Sequence, residues 1–270
     1  MYYKVKEQNY WVEVFGTGEP VVFLHGFTGS TETWRIPSSY MNDSYQHILI
    51  DLPGHGKTEA PYIDSIKSCC YDLRQIFHQL KLSRVHLVGY SLGGRTALSF
   101  AVYFPEFIAS LLLESATPGL EQLGERKERQ ARDQELANFI ENHPLQDFVD
   151  RWESIPLFES QKHLPLEVRK QIRHERMSQS RKGLAQSLRT MGTGSMPSWW
   201  SELSSITCPV LLIVGELDQK FVEIAKKMEY IFPNSTLQTI FGCGHAVHVE
   251  QPKIFGTIVN DFINQRRSSN

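Results

Sequence analysis

The pentapeptide Gly89-Tyr90-Ser91-Leu92-Gly93 follows directly on the apolar run Val85-His86-Leu87-Val88 and leads into a helical pattern from Leu92 towards Phe104. Strand, sharp turn and helix, with a serine at the turn, is the G-x-S-x-G elbow that presents a nucleophile. So tight a turn strains the serine backbone and leaves no room for bulk beside it, which is why glycines flank it. The helix that follows directs its positive N-terminus at any negative charge formed near Ser91. A chain with this element is constrained to a β-α architecture in which the serine sits at the end of a strand.

The rest of the sequence has the rhythm such an architecture needs. Val21-Val22-Phe23-Leu24, Ile48-Leu49-Ile50, Val85 to Val88, Leu111-Leu112-Leu113 and Val210 to Val214 are continuous apolar runs. Runs of this kind suit strands covered on both faces, as in a parallel sheet. Helical segments fall between them over Ser65 to Leu80, Leu92 to Phe104, Phe221 to Phe232 and Ile254 to Asn264. The alternation predicts an α/β fold with a mostly parallel, doubly wound sheet. Tyr10 to Phe15 alternates weakly and is expected to pair with Val21 to Leu24 as an opening hairpin turned at Gly16-Thr17-Gly18.

One stretch breaks the rhythm. From about Leu120 to Leu188 the sequence holds charged helical pattern and no convincing strand, in segments Glu121 to Glu141, Leu145 to Trp152, Leu166 to Met177 and Gly183 to Arg189. It predicts a helical cap over residues 120–199, inserted into a core built from 1–119 and 200–270. Most of its charges are expected to face solvent.

Composition excludes several classes of function. The 270 residues are 41% hydrophobic and 21% charged with a formal net charge of −2, so no global field draws nucleic acid or an anionic membrane. The N-terminus has no apolar signal region and no run is long enough to span a bilayer, which points to the cytoplasm. Cys69, Cys70, Cys208 and Cys243 form no C-x-x-C pair and read as inert thiols, not a disulfide framework or zinc site. Asp51-Leu52-Pro53-Gly54-His55-Gly56 holds too few closely spaced ligands for a metal and reads as a turn. No metal and no cofactor are expected, and the oligomeric state is not encoded in any feature of the sequence.

A serine is weak at its free pKa and needs a histidine, itself oriented by an acid. In a strand–elbow–helix chain these follow in the order serine, acid, histidine. Strand Val210 to Gly215 is followed by Glu216 and Asp218, both candidates for the acid. Strand Leu237 to Phe241 is followed by Gly242-Cys243-Gly244-His245, with His248 just beyond. His245 is preferred because glycines precede it and let it reach inward. The backbone N–H groups of Leu92 and of Phe27, after Leu24-His25-Gly26, are the candidate oxyanion donors. His25 reads as structural, bonded to the backbone of its own turn.

Leu24-His25-Gly26-Phe27, Asp51 to Gly56, Gly89 to Gly94, Gly215 to Asp218 and Gly244-His245 together resemble the α/β-hydrolase superfamily over nearly the whole length. Family spacing selects Asp218 as the acid, so Ser91, Asp218 and His245 form the implied triad. Three details are similar to a narrower family, the 2-succinyl-6-hydroxy-2,4-cyclohexadiene-1-carboxylate synthases of menaquinone biosynthesis. These are Tyr90 and Arg95 around the elbow; Arg129 with Asp133, Leu136-Ala137, Trp152 and Phe158 in the cap; and the segment Met191-Gly192-Thr193-Gly194-Ser195-Met196-Pro197-Ser198-Trp199-Trp200. The third is the most specific.

The resemblance implies a lyase that removes a proton from a cyclohexene polycarboxylate and expels pyruvate. A substrate with several carboxylates calls for several arginine forks. Arg95, Arg129 and Arg176 are the implied partners, with Arg126 or Arg173 as alternatives in the cap. Tyr90, Trp152 and Phe158 are the implied wall around the ring. The competing reading of the same triad is a carboxylic-ester or C–C bond hydrolase. A non-catalytic ligand-binding protein is the third, against which three intact triad residues weigh.

Overall fold

A computed structural model describes residues 1–42 and 44–267. Strands β1 (Tyr2–Val5), β2 (Gln8–Gly16), β3 (Glu19–Leu24), β4 (Tyr45–Ile50), β5 (Val85–Tyr90), β6 (Ile108–Glu114), β7 (Val210–Gly215) and β8 (Ser235–Ile240) form one sheet. Their order is β1-β2-β4-β3-β5-β6-β7-β8. Pairings from β4 to β8 are parallel, and β1 and β2 join antiparallel at one edge. The apolar runs read from sequence are the central strands, with every residue of β5 and β7 buried.

The expected hairpin between Tyr10 to Phe15 and Val21 to Leu24 does not form. β4 lies between them, pairing antiparallel with β2 and parallel with β3. The reason is local. Gly16 (φ +74) and Gly18 (φ +112) reverse the chain, but a Cβ at either would strike the carbonyl oxygen of Tyr45 or Ser44 at 2.4 and 2.1 Å. The glycines admit the start of β4 against the turn, and β3 gains a buried neighbour on each side. Strand β1, unmarked by any periodicity, extends the edge beyond β2.

Helices cover both faces. On one lie α2 (Ile66–Gln79), α3 (Leu92–Tyr103) and α8 (Gln219–Ile231); on the other, α1 (Arg35–Ser38), α9 (Val247–Glu250) and α10 (Pro252–Arg267). Helix α2 starts at a capping box on Ser65 and buries Ile66, Cys69, Cys70, Leu73, Ile76 and Phe77, the three-and-four spacing of one helical face. Helix α3 is buried from Leu92 through Ala101, as befits the central helix behind the elbow.

Between β6 and β7 the chain forms α4 (Leu123–Asn142), α5 (Leu145–Glu153), a 3-10 stretch over Pro156–His163, α6 (Leu166–Met177) and α7 (Arg181–Met191). Ala137, Ile140, Phe148, Val149, Leu184, Ala185 and Leu188 give this insertion a small core of its own. It is tied to the sheet unit by the Gln186 side-chain amide, which donates to the carbonyls of Ala60, Pro61 and Ile63. Among the described residues no helix is long and apolar enough to cross a membrane.

Candidate active site

Ser91 occupies the bend between β5 and α3 with φ 49° and ψ −103°. Its N–H donates to Glu114 O at 2.9 Å, which ties the elbow to β6. A Cβ on Gly93 would lie 2.0 Å from the carbonyl oxygen of Leu24, so only glycine lets α3 approach β3 this closely. A non-glycine residue at positive φ costs about 1–3 kcal/mol and marks positions that the surrounding structure over-determines.

The structure brings His245 and Asp218 to this serine. His245 Nε2 lies 3.1 Å from Ser91 Oγ, and His245 Nδ1 lies 2.6 Å from Asp218 Oδ2. All three come from strand ends: Ser91 after β5, Asp218 after β7, His245 after β8. The Gly244 loop is held by Glu250, whose carboxylate accepts from Gly244 N–H at 2.8 Å and from the Ser160 hydroxyl at 2.9 Å. The Phe221 ring packs edge-on to the imidazole, 4.6 Å between centroids.

The rejected rivals have other tasks. Glu216 accepts from Gly242 N–H at 3.1 Å. His248 is buried against Glu114, with Nδ1 2.9 Å from Glu114 Oε1, and packs at a tilt against Tyr90 and Trp34. His25 accepts from Leu52 N–H through Nε2 and meets Gly26 O through Nδ1, and burial pushes its pKa well down. Asp51 is spent on the N–H groups of Thr31 and Lys57, and His55 on Pro53 O. Among the described residues no three His, Cys, Asp or Glu side chains are grouped to hold a metal.

A cavity of about 170 Å³ opens on Ser91 and His245. Phe27 and Leu92 line it, and neither of their N–H groups takes part in the backbone hydrogen bonds of the turn. Tyr90, Arg95, Arg129, Trp152 and Phe158 also line it. A larger groove of about 410 Å³ lies over α5 and α6; it shares Phe158 with this cavity but does not reach Ser91.

Arg95 is buried on α3, and its Nη1 donates to Met191 O at 2.6 Å. Burial, with Arg129 nearby, lowers its pKa to about 9. Arg129 is half-exposed on α4 and pairs with buried Asp133 at 2.8 Å. Two guanidiniums and one carboxylate leave this end of the cavity cationic, ready for an anion.

The segment Met191 to Trp200 has its physical reason here. It seats Arg95 through Met191 O, receives Arg126 Nη2 at Met196 O (3.2 Å), and accepts from Gln130 Nε2 at Gly194 O (3.0 Å). Trp199 Nε1 donates to Ser99 Oγ at 2.8 Å and Trp200 Nε1 to Gly119 O at 3.1 Å, closing the exit of the insertion against its entry.

Arg176 does not line the cavity at Ser91 itself; it lines a smaller one beside it that shares Phe27, Tyr90 and Phe158. Its guanidinium is 4.7 Å from the Phe158 ring, pairs with Glu153 at 3.4 Å and donates to Gln161 at 3.1 Å. Of the alternatives, Arg173 is engaged by Asp150 and Glu153, and Arg126 by Met196 O. Neither lines the cavity at Ser91.

Sequence reading passed over Ser115, Ser187 and Lys220, which line the same cavity, and singled out Thr193 only as part of the Met191 to Trp200 segment. For Ser115 a signal existed: it follows the carboxyl end of β6, where ligands of open α/β sheets bind.

Residues 19–252 match the family described as alpha/beta hydrolase fold. A Bacillus subtilis (strain 168) protein provisionally named 2-succinyl-6-hydroxy-2,4-cyclohexadiene-1-carboxylate synthase is 49% identical over 91% of this chain and 90% of its own length. The synthase of the same name from Photorhabdus laumondii is 31% identical over 90% of this chain and 85% of its own. A solved structure, MenH from S. aureus, superposes with a TM-score of 0.91 at 37% identity, covering 95% of this chain and 98% of that one. The chain belongs to the α/β-hydrolase fold family and, within it, to the 2-succinyl-6-hydroxy-2,4-cyclohexadiene-1-carboxylate synthases.

Proposed function

We propose that this enzyme converts 2-succinyl-5-enolpyruvyl-6-hydroxy-3-cyclohexene-1-carboxylate into 2-succinyl-6-hydroxy-2,4-cyclohexadiene-1-carboxylate, releasing pyruvate, as a step of menaquinone biosynthesis. The supporting observation is the continuous Asp218–His245–Ser91 chain at 2.6 and 3.1 Å in a cavity that also holds Arg95 and Arg129. His245 Nε2 takes the serine proton, and Asp218 holds the imidazole in the required tautomer. The Ser91 oxygen then removes the ring proton at C2, alpha to the succinyl carbonyl. The N–H groups of Leu92 and Phe27 hold the charge that develops on that carbonyl oxygen. As the charge returns, double bonds form at C2–C3 and C4–C5, the C5–O bond breaks, and the enolate of pyruvate leaves and is protonated.

Arg95 and Arg129 bind carboxylates of the substrate, while Tyr90, Trp152 and Phe158 wall in the ring. Burial keeps the Tyr90 phenol neutral, its pKa raised well above the ordinary value. Arg176, in the adjoining cavity with Tyr90 and Phe158, is the partner for a third carboxylate. Residues 120–199 serve as the cap that closes over the serine. The test is release of pyruvate from the enolpyruvyl substrate, with Ser91→Ala as control. Rapid cleavage of p-nitrophenyl acetate without pyruvate release would sink the lyase reading in favour of a hydrolase.

A further inference from the structure

Two hydroxyl groups in the cavity have no task in the fold. Ser115 Oγ and Ser187 Oγ are buried and hydrogen-bond to no other described residue. Both residues line the cavity at Ser91, Ser115 from the end of β6 and Ser187 from α7. Buried hydroxyls are ordinarily satisfied, and each exception calls for an explanation.

Local chemistry offered each an easier course. Helical hydroxyls here bond back one turn: Thr96 to Leu92 O, Ser99 to Arg95 O, and Thr190, on the same helix as Ser187, to Gln186 O at 3.0 Å. Ser187 makes no such bond. Ser115 is fully buried at φ 45°, a conformation that favours glycine, yet it carries a side chain. Strain combined with an unused polar group is characteristic of a position kept for a ligand.

The substrate leaves one polar feature unmatched. Its three carboxylates suit the guanidiniums of Arg95, Arg129 and Arg176, and its succinyl carbonyl suits the Leu92 and Phe27 amides. The ring hydroxyl is uncharged and both donates and accepts, as a serine hydroxyl does. We infer that Ser115 and Ser187 are specificity-determining residues that hydrogen-bond the 6-hydroxyl of the cyclohexene ring, an assignment that rests on the proposed lyase reaction.

The test uses Ser115→Ala and Ser187→Ala, the substrate, and its analogue lacking the 6-hydroxyl. Wild type favours the hydroxylated compound in kcat/KM for pyruvate release. Each variant narrows that preference about 2- to 12-fold, the equivalent of one neutral hydrogen bond. The melting temperature of each stays level or rises, because an unpaired buried hydroxyl has been removed. An undiminished preference in both variants, or a fall in melting temperature with proportional loss on both compounds, overturns the assignment. Absence of pyruvate release by wild type is a separate result: it overturns the lyase function itself.

Discussion

Replacing Arg95 by methionine separates what this residue does for the fold from what it does for the substrate. Arg95 is 8% exposed, and among the described residues its guanidinium has one oxygen partner, the Met191 carbonyl at 2.6 Å. Its pKa falls to about 9, first through burial and then through Arg129, with Asp133 opposing. A fall of that size corresponds to roughly 3–5 kcal/mol of disfavoured charge at neutral pH, at 1.36 kcal/mol per pKa unit. Methionine fills the same channel without charge. It forfeits the hydrogen bond to Met191 O, which costs about 1–3 kcal/mol.

The balance predicts that free Arg95→Met is more stable than wild type by about 2 kcal/mol, or roughly 4–8 °C in melting temperature. Pyruvate release moves the other way. Loss of a charge-assisted bond of about 1.5–3 kcal/mol lowers kcat/KM roughly 10- to 150-fold, with a much smaller loss on a neutral ester. The stability gap also depends on pH in a defined direction. Because the folded-state pKa lies below the unfolded one, the penalty is fully present below pH 9. As pH rises past 9 the unfolded chain binds more protons than the native one, wild type gains stability from this group, and the gap closes. Differential scanning fluorimetry from pH 7 to 10 and a pyruvate assay read both effects. A variant less stable than wild type, with equal losses on the two compounds, would refute the reasoning and make Arg95 a structural cation.

Three further outcomes follow from the site and the fold. Asp218→Asn should lower kcat for pyruvate release by about 10²- to 10⁴-fold with little change in melting temperature, since it disturbs the tautomer of His245 and not the packing. Ser91→Gly and Ser91→Ala should both be inactive, but the glycine variant should unfold in urea about 1 kcal/mol later, because φ 49° strains alanine and not glycine. His55 is buried with its pKa lowered to about 4, so its neutral form belongs to the fold. Stability from this group is intact above pH 6.5 and is lost as pH falls towards 4, by roughly 3 kcal/mol; His55→Gln should show a shallower loss in urea titrations at pH 7 and 4.5. A variant as acid-sensitive as wild type would show that other groups govern the acid limb.

Local sequence was sufficient for those parts of the protein whose cause is local. The elbow, the capped helix α2 and the apolar central strands each carry their own signal, because turn sterics, helical periodicity and two-sided burial act within a few residues. The charged pattern between β6 and β7 likewise foretold helices. The elbow nominated Ser91 and the glycines before it favoured His245 over His248, while the choice of Asp218 over Glu216 needed family spacing.

Tertiary structure decided what depends on neighbours distant along the chain. Periodicity says that Val21 to Leu24 must be buried, but not that β4 in place of β2 lies beside it. A lone arginine reads the same in sequence whether it lines the cavity at Ser91, as Arg95 does, or the smaller one beside it, as Arg176 does. Only the packing of α5, α6 and the Pro156–His163 stretch sets Arg176 over the Phe158 ring, 4.7 Å away. That the hydroxyls of Ser115 and Ser187 go unused was invisible in the sequence for the same reason. A serine's hydrogen bonds are short-ranged in space but unbounded in sequence, so whether one is satisfied becomes a property only once the chain has closed around it.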